Sequence, residues 1–289
     1  MIDYSQIDLA ILLLISFIYA VYDVFNRRNV PNSFVYFTIL IGIVMALLSN
    51  SGMTLVTAFV VAIVVGAVGY TIYKAGLLGA GDVLEFVFIA LAMPVWQNTF
   101  FENTYQWNIP FVLSVIIAAG YASLIFIPIY YLLVKKPPRN APKPNGKRMA
   151  IGTVFFIVYM IFILAMRYLY DINVVGSVLI FLLAFFAGIT MIYDQRIYLG
   201  MVEFIYPSRL EEGDMIATNL MSKKDLAIFQ KKADFGRLAS DRLIAHIKNV
   251  RVKLPVYRDS VPFSLFIFIG VLISLAYGNI ILLMIGILA

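Results

Sequence analysis

Long runs of apolar residues alternate along the chain with short polar segments. Most of the runs approach the roughly 17 to 25 residues that a membrane-spanning helix needs. They cover residues 7–22, 33–49, 53–73, 83–96, 110–134, 150–169, 174–193 and 262–288. The pattern predicts an all-α membrane protein, a polytopic bundle of about eight transmembrane helices. The first run is expected to be a retained helix, because it ends in Asp23 rather than in the small residues of a signal-peptide cleavage site.

Only one polar block, residues 194–260, is large enough to form a domain. It is expected to be a small mixed domain with helices at 222–232 and 240–249, the first capped by Ser222 and Asp225, and a strand within 251–257. The remaining chain then divides into a membrane bundle of seven spans at 1–193, including a basic, proline-rich linker at 135–149, and a C-terminal transmembrane helix at 261–289.

Composition and charge support this organisation. Hydrophobic residues make up 62% of the chain and charged residues 13%, which is far too apolar for a soluble domain. Threading eight spans through a membrane places 21 of the 22 Lys and Arg residues on one side. Since loops rich in Lys and Arg stay in the cytoplasm, we expect a multi-pass cell-membrane protein with its N-terminus outside. Basic and acidic residues are interleaved in the polar block, so no nucleic-acid partner is expected.

The residue types also limit the chemistry. The chain has no cysteine and one histidine, which excludes disulfides, thiolate metal sites, cysteine nucleophiles and histidine-rich metal sites. No metal and no cofactor are expected. Any catalysis must use carboxylates, hydroxyls, Lys or Arg.

Two aspartates at membrane boundaries are the strongest candidates. Asp23 follows the first span, and Asp82 opens the fourth within the segment Gly79-Ala80-Gly81-Asp82. The threading puts both at the cytoplasmic face, where two nearby carboxyls can share a proton and act as general base and general acid on a water molecule. Gly79 and Gly81 are expected to supply backbone freedom or close approach, and Asp82 is expected at the N-cap of its helix. The plain alternative is a turn with a capping aspartate, and an Asp23 paired with Arg27 or Arg28.

The two motifs together resemble the GxGD membrane aspartic proteases, specifically the family of type IV prepilin peptidases and archaeal preflagellin peptidases. The first motif is Asp23 with the basic loop that ends in Pro31 and Asn32, and the second is the Gly79 to Asp82 segment. Both stand in the family's order over roughly residues 10 to 95. The segments 211–217 and 261–270 look like the C-terminal region of the archaeal enzymes. The resemblance implies an aspartic endopeptidase with Asp23 and Asp82 as catalytic residues and Pro31 and Asn32 in a supporting loop.

By the same resemblance, the partners are the lipid bilayer and precursors that carry a basic leader before a hydrophobic helix, such as preflagellins or prepilins, cut at the cytoplasmic membrane face. The chain departs from the family pattern in three places. Leu84 stands where family members often have Lys. The two spans at 150–193 are additional to the six spans that the resemblance implies. The absence of cysteine argues against the methyltransferase activity of bacterial members. Two alternatives are a presenilin-like protease, whose Pro-Ala-Leu motif is not found, and an ion- or proton-coupled transporter using the two aspartates.

The remaining acidic residues receive subordinate roles. Glu85 lies one helical turn beyond Asp82, and a supporting role is favoured over catalysis. The densest acidic group of the polar block comprises Glu203, Glu211, Glu212 and Asp214. These four are expected to bind the basic leader, or alternatively only to balance neighbouring Lys and Arg.

Overall fold

The computed structural model describes residues 4–26, 30–49, 52–95, 109–135, 144–170, 174–231, 235–258 and 261–280. Seven helices precede the polar block: α1 Tyr4–Phe25, α2 Asn32–Ser49, α3 Gly52–Lys74, α4 Ala80–Ala92, α5 Phe111–Ile129, α6 Gly146–Tyr170 and α7 Val174–Met201. The polar block contributes α8 Lys223–Gln230 and α9 Asp241–Ile247, and α10 Phe263–Tyr277 follows it. Several segments lie outside the described residues, namely Arg27 and Arg28, residues 96–108, most of the predicted linker and the end of the predicted last span.

The chain is an all-α polytopic membrane protein. Among the described residues, six helices are long and apolar enough to cross a membrane, namely α1, α2, α3, α5, α6 and α7. The predicted fourth span is the 13-residue α4, about 20 Å long, and α10 has 15 described residues. Both are shorter than a full span of about 30 Å, and the expected total of eight spans stays a prediction.

Helix α4 lies at the centre of the bundle. Its residues Phe88, Ile89 and Ala90 are fully buried, and it packs against α3, α2, α5, α1 and α10. A helix that is apolar on all sides is stable only where other helices enclose it or lipid surrounds it. The enclosure by five helices explains how a short helix remains fixed within the bundle.

Helices α6 and α7 form a hairpin whose contact with the remaining bundle runs mainly from α7 to α5. The two helices cross where Gly152 and Gly188 meet, since a Cβ on Gly152 would lie 3.1 Å from the Gly188 carbonyl oxygen. Arg148 and Asp194 form an ion pair between the two helices. Helix α7 continues past the predicted span end at residue 193, and the non-helical dihedral angles of Tyr193 mark a kink at that point.

The polar block folds around a small core of its own. Strands β1 Glu203–Ile205 and β2 Leu254–Val256 pair antiparallel, and the buried side chains Ile216, Phe229, Leu243 and Ile247 pack together. The two predicted helices are confirmed as α8 and α9, and β2 falls within the predicted strand. The predicted cap is also confirmed, because the Ser222 hydroxyl accepts the amide hydrogen of Asp225.

The polar block contacts the membrane helices beside Asp82. On the same side of the bundle, the Lys135 ammonium, six residues past the end of α5, donates to the carbonyl oxygen of Gly200 in the last turn of α7 at 2.8 Å. Arg237 packs on Gly76 in the α3–α4 connection, where φ of Gly76 is 65° and an added Cβ would lie 3.0 Å from the Arg237 Cβ. The connection that leads into Asp82 is therefore in direct contact with the polar block.

Candidate active site

Asp23 and Asp82 come together on a single residue of α10. Asp23 lies near the end of α1 and Asp82 in the first turn of α4. The backbone N–H of Ser264 donates to Asp23 Oδ2 at 2.9 Å, and the Ser264 hydroxyl donates to Asp82 Oδ1 at 3.1 Å. Asp23 is buried and Asp82 partly exposed. Two carboxylates 59 positions apart in the sequence thus share one neighbour.

The segment before Asp82 differs in detail from the expectation. Helix α4 begins at Ala80 with Gly79 as its N-cap, so Asp82 is the third helical residue rather than the cap. From there its Oδ2 reaches back to accept the Gly79 N–H at 3.1 Å, as the acidic residue of a capping box does. This bond satisfies an amide that the helix itself leaves unpaired.

The glycines contribute through space rather than through left-handed backbone angles. Gly79 has φ −72° and ψ 150°, which any residue adopts. A Cβ on Gly79, however, would lie 2.8 Å from Asp82 Oδ2. A Cβ on Gly81 would meet only Val30 at 3.7 Å, an ordinary contact. Gly79 is the glycine that the Asp82 carboxylate requires.

Glu85 follows Asp82 by three residues and is fully buried. Neither of its carboxyl oxygens has a hydrogen-bond partner within the part of the chain that the structure describes. Asp82 and Asp23 interact with it electrostatically, and Ser264 lies beside it. Three carboxyls thus lie together in one poorly solvated site, where like charges oppose one another.

The predicted supporting loop borders the site. Val30 packs against the bundle core and beside Gly81. Pro31 precedes α2, and its carbonyl oxygen accepts the Val35 N–H at 3.1 Å. Asn32 begins α2 and is exposed. The loop therefore touches the start of α4 through Val30, while Pro31 and Asn32 start the second helix.

The acidic group of the polar block has a basic partner. Arg258 contacts Asp214 Oδ2 at 2.7 Å and Glu211 Oε1 at 3.3 Å. The hydrogen bond that Arg258 donates to Asp214 raises the pKa of the guanidinium, so this side chain stays charged. Glu203 and Glu212 are exposed. Asp214 and Glu211 therefore balance the charge of a neighbouring Arg, as the alternative in the sequence analysis expected.

Two residues of the site were not singled out from the sequence. The first is Ser264. In the sequence it is marked only as a polar residue at the start of an apolar run. Tyr19 is the other: it is fully buried, one turn before Asp23, and close enough to Glu85 and Asp82 to interact with them electrostatically. Its hydroxyl bonds to Thr38 at 2.8 Å. The spacing of Tyr19 and Asp23 by four residues on one helix face was the available signal.

Two carboxyls from different helices lie close together at one end of a membrane bundle. The protein therefore belongs to the general class of integral membrane proteins with a carboxylate site. Chemically, such a pair can bind a water molecule and exchange protons with it. Among the described residues, no group of three or more His, Asp or Glu side chains is arranged to hold a metal ion.

The comparison with protein families is specific. Residues 10–127 match the model of the type IV leader peptidase family, so this part of the chain is similar to that family. The match confirms the resemblance predicted from the two aspartate motifs, and it supports a type IV leader peptidase-like protease. The match contains α1 to α4 and most of α5, and therefore both aspartates. No curated protein and no solved structure matches the chain significantly.

Proposed function

We propose that the protein is an aspartic endopeptidase that removes basic leader peptides from preflagellins or type IV pilin-like precursors. The observation that carries the proposal is the convergence of Asp23 and Asp82 on Ser264, within a region that matches a leader peptidase family. Both aspartates stand at helix ends rather than midway along a helix. That position favours a cut at the membrane boundary over a transporter site near the middle of the bilayer.

In the proposed reaction, one ionised aspartate takes a proton from a water molecule as the water oxygen attacks the scissile carbonyl carbon. The other, protonated aspartate gives a hydrogen bond to the carbonyl oxygen. When the C–N bond breaks, a proton passes to the leaving amine nitrogen, and the pair returns to its starting state with one proton. Glu85 lies beside this site, and its carboxyl is proposed to support the pair rather than to react.

The site is proposed to face the cytoplasm, with the N-terminus outside. Support comes from the asymmetry of Lys and Arg along the chain. Support also comes from the contact between Arg237 of the polar block and the α3–α4 connection. A basic leader on the cytoplasmic side of a hydrophobic helix would then meet the aspartates and the polar block together. Glu203 and Glu212, being exposed, are the proposed contacts for the leader, with Glu211 and Asp214 beside them.

Co-expression with epitope-tagged candidate precursors tests the proposal. The wild-type protein is expected to produce a faster-migrating product whose new N-terminus, read by sequencing, begins at the hydrophobic helix. Asp82→Asn should leave the precursor intact. Cleavage by membranes in EDTA should equal cleavage without it, since the proposed chemistry needs no metal. Persistence of full-length precursor with every candidate, or cleavage lost in EDTA and restored by a metal, would contradict the proposal.

A further inference from the structure

The start of α10 presents two hydrogen-bond donors from one residue. Pro262 is the N-cap, with φ −59° and ψ 125°, and Ser264 is the second residue of the helix. Amides in a first helical turn have no acceptor within the helix. The Ser264 amide finds its acceptor in Asp23, 241 positions earlier in the sequence. The helix end is thereby satisfied by a carboxylate of the site.

The Ser264 hydroxyl and the Gly79 amide both form hydrogen bonds with the second aspartate, Asp82. The hydroxyl donates to Asp82 Oδ1, while Asp82 Oδ2 accepts the Gly79 amide. Each oxygen of Asp82 therefore has its own donor, and rotation of the carboxylate would break one of the two bonds. Ser264 is itself fully buried, so water does not compete freely for these bonds.

Close packing holds α10 in place. A Cβ on Gly270 would lie 2.7 Å from the carbonyl oxygen of Val115 and 2.9 Å from the amide nitrogen of Ala119. The backbones of α10 and α5 are thus in contact two turns beyond Ser264. Phe266 and Ile267, the neighbours of Ser264 on α10, are buried. The position of Ser264 is set by the bundle and does not depend on the aspartates alone.

From these contacts we infer that Ser264 is a positioning residue that fixes the carboxyls of Asp23 and Asp82 relative to each other. The inference rests on the proposed function and extends its site to α10, beyond the region that matches the leader peptidase family. Ser264 acts through the aspartates and neither attacks the substrate nor carries the reacting proton. Its hydroxyl orients Asp82 and its amide orients Asp23.

The test compares Ser264→Ala with Ser274→Ala in purified full-length protein cleaving a tagged precursor. Ser274 lies on the same helix and is equally buried, and its hydroxyl has no partner among the described residues. Loss of a hydrogen bond to a charged group predicts that kcat of Ser264→Ala falls about 10- to 100-fold with KM within about twofold of wild type. Ser274→Ala should keep kcat within about twofold, and both variants should unfold at similar temperatures in detergent.

Two further variants sharpen the result. Ser264→Thr keeps the hydroxyl and should retain at least about a third of kcat. Ser264→Pro removes the amide hydrogen as well as the hydroxyl, at a helix position in the first turn where proline is tolerated. It should reduce kcat further than Ser264→Ala. An unchanged kcat in Ser264→Ala, a loss confined to KM, or equal losses in the Ala and Thr variants would overturn the inference.

These outcomes are distinct from failure of the proposed function. If Asp23→Asn and Asp82→Asn abolish cleavage while Ser264→Ala keeps full activity, only the role of Ser264 is wrong. If the aspartate variants themselves keep cleavage, the proposed function is wrong.

Discussion

The carboxylates at the start of α4 and those of the polar block, both among the described residues, are stabilised in different ways. Asp82 accepts bonds from an amide and a hydroxyl, whereas Asp214 and Glu211 contact the guanidinium of Arg258. An arginine beside a carboxylate neutralises it and keeps it ionised. Amides and hydroxyls fix the orientation of a carboxylate. We expect the oriented carboxylates at the start of α4 to carry the proposed chemistry, and the Arg258 pairs mainly to stabilise the polar block.

Of the substitutions that compare the two groups of carboxylates, a methyl group added beside Asp82 is predicted to lower kcat most. The Cβ of Gly79→Ala would overlap Asp82 Oδ2, so the carboxylate must shift. A misplacement of this size in a catalytic group costs roughly 100-fold in kcat. Gly81→Ala is the matched control, because its Cβ would make only an ordinary contact with Val30, and it should keep kcat within about threefold. Equal activity of the two variants would mean that the Gly79 contact does not position Asp82.

Glu85 tests whether a third carboxyl belongs to the chemistry or only surrounds it. Glu85→Gln keeps the shape of the side chain but removes its titratable group. As a supporting residue, it should retain about a tenth or more of the wild-type kcat, far above the loss of 100-fold or greater expected for a catalytic carboxyl. Rates from purified protein decide the question. A loss as deep as that of Asp82→Asn would make Glu85 a catalytic residue.

Breaking the Arg258 pairs should affect stability rather than chemistry. Arg258→Met removes the partner of Asp214 and Glu211, whose side chains are 16% and 80% exposed. Partial exposure screens the pairs, so we expect a loss of about 1 to 2 kcal/mol in the free energy of unfolding of the polar block. Thermal unfolding with limited proteolysis measures this loss. A kcat reduced more than about threefold, with the protein still folded, would contradict the structural role of the pairs.

Charge reversal on the exposed acidic residues should have the smallest effect. If Glu211 and Glu212 contact a basic leader, Glu211→Lys with Glu212→Lys should raise KM several-fold and leave kcat nearly unchanged, as loss of uniform binding does. Reversal of Asp241, an exposed acidic residue in the first turn of α9, is the control. The same KM for both variants would show that the acidic group does not bind the leader.

Local patterns predicted much of the fold and the centre of the site. Asp23 and Asp82 stand out because ionisable residues within membrane-spanning segments are rare, and the alternation of spans predicts that both lie on one side. The Ser222 and Asp225 cap is a contact over three residues, which a short motif specifies. Six of the eight predicted spans match the six long helices closely, since apolar length determines both.

Long-range contacts could not be predicted in the same way. Ser264 and Ser274 are both buried serines on the same apolar helix, yet only Ser264 meets the aspartates. That difference depends on how α10 packs, over a sequence separation of 182 residues to Asp82. The N-cap of α4 was placed three residues too late, because Asp82 is a good capping residue by type and the preceding glycine carries no side-chain signal. The pairing of Asp214 with Arg258 likewise joins residues 44 positions apart.

Asp23 and Asp82 are proposed to carry the reaction together. The most direct measurement is the rate of precursor cleavage by purified protein in lipid vesicles, for Asp23→Asn, Asp82→Asn and the control Asp8→Asn. Asp8 lies on the same helix as Asp23, 15 residues and about 22 Å away. We predict a loss of about 1,000-fold or more for each of the first two variants, with Asp8→Asn near the wild-type rate and all three folded. Retention of more than a few per cent of the rate by either Asp23→Asn or Asp82→Asn would contradict the account.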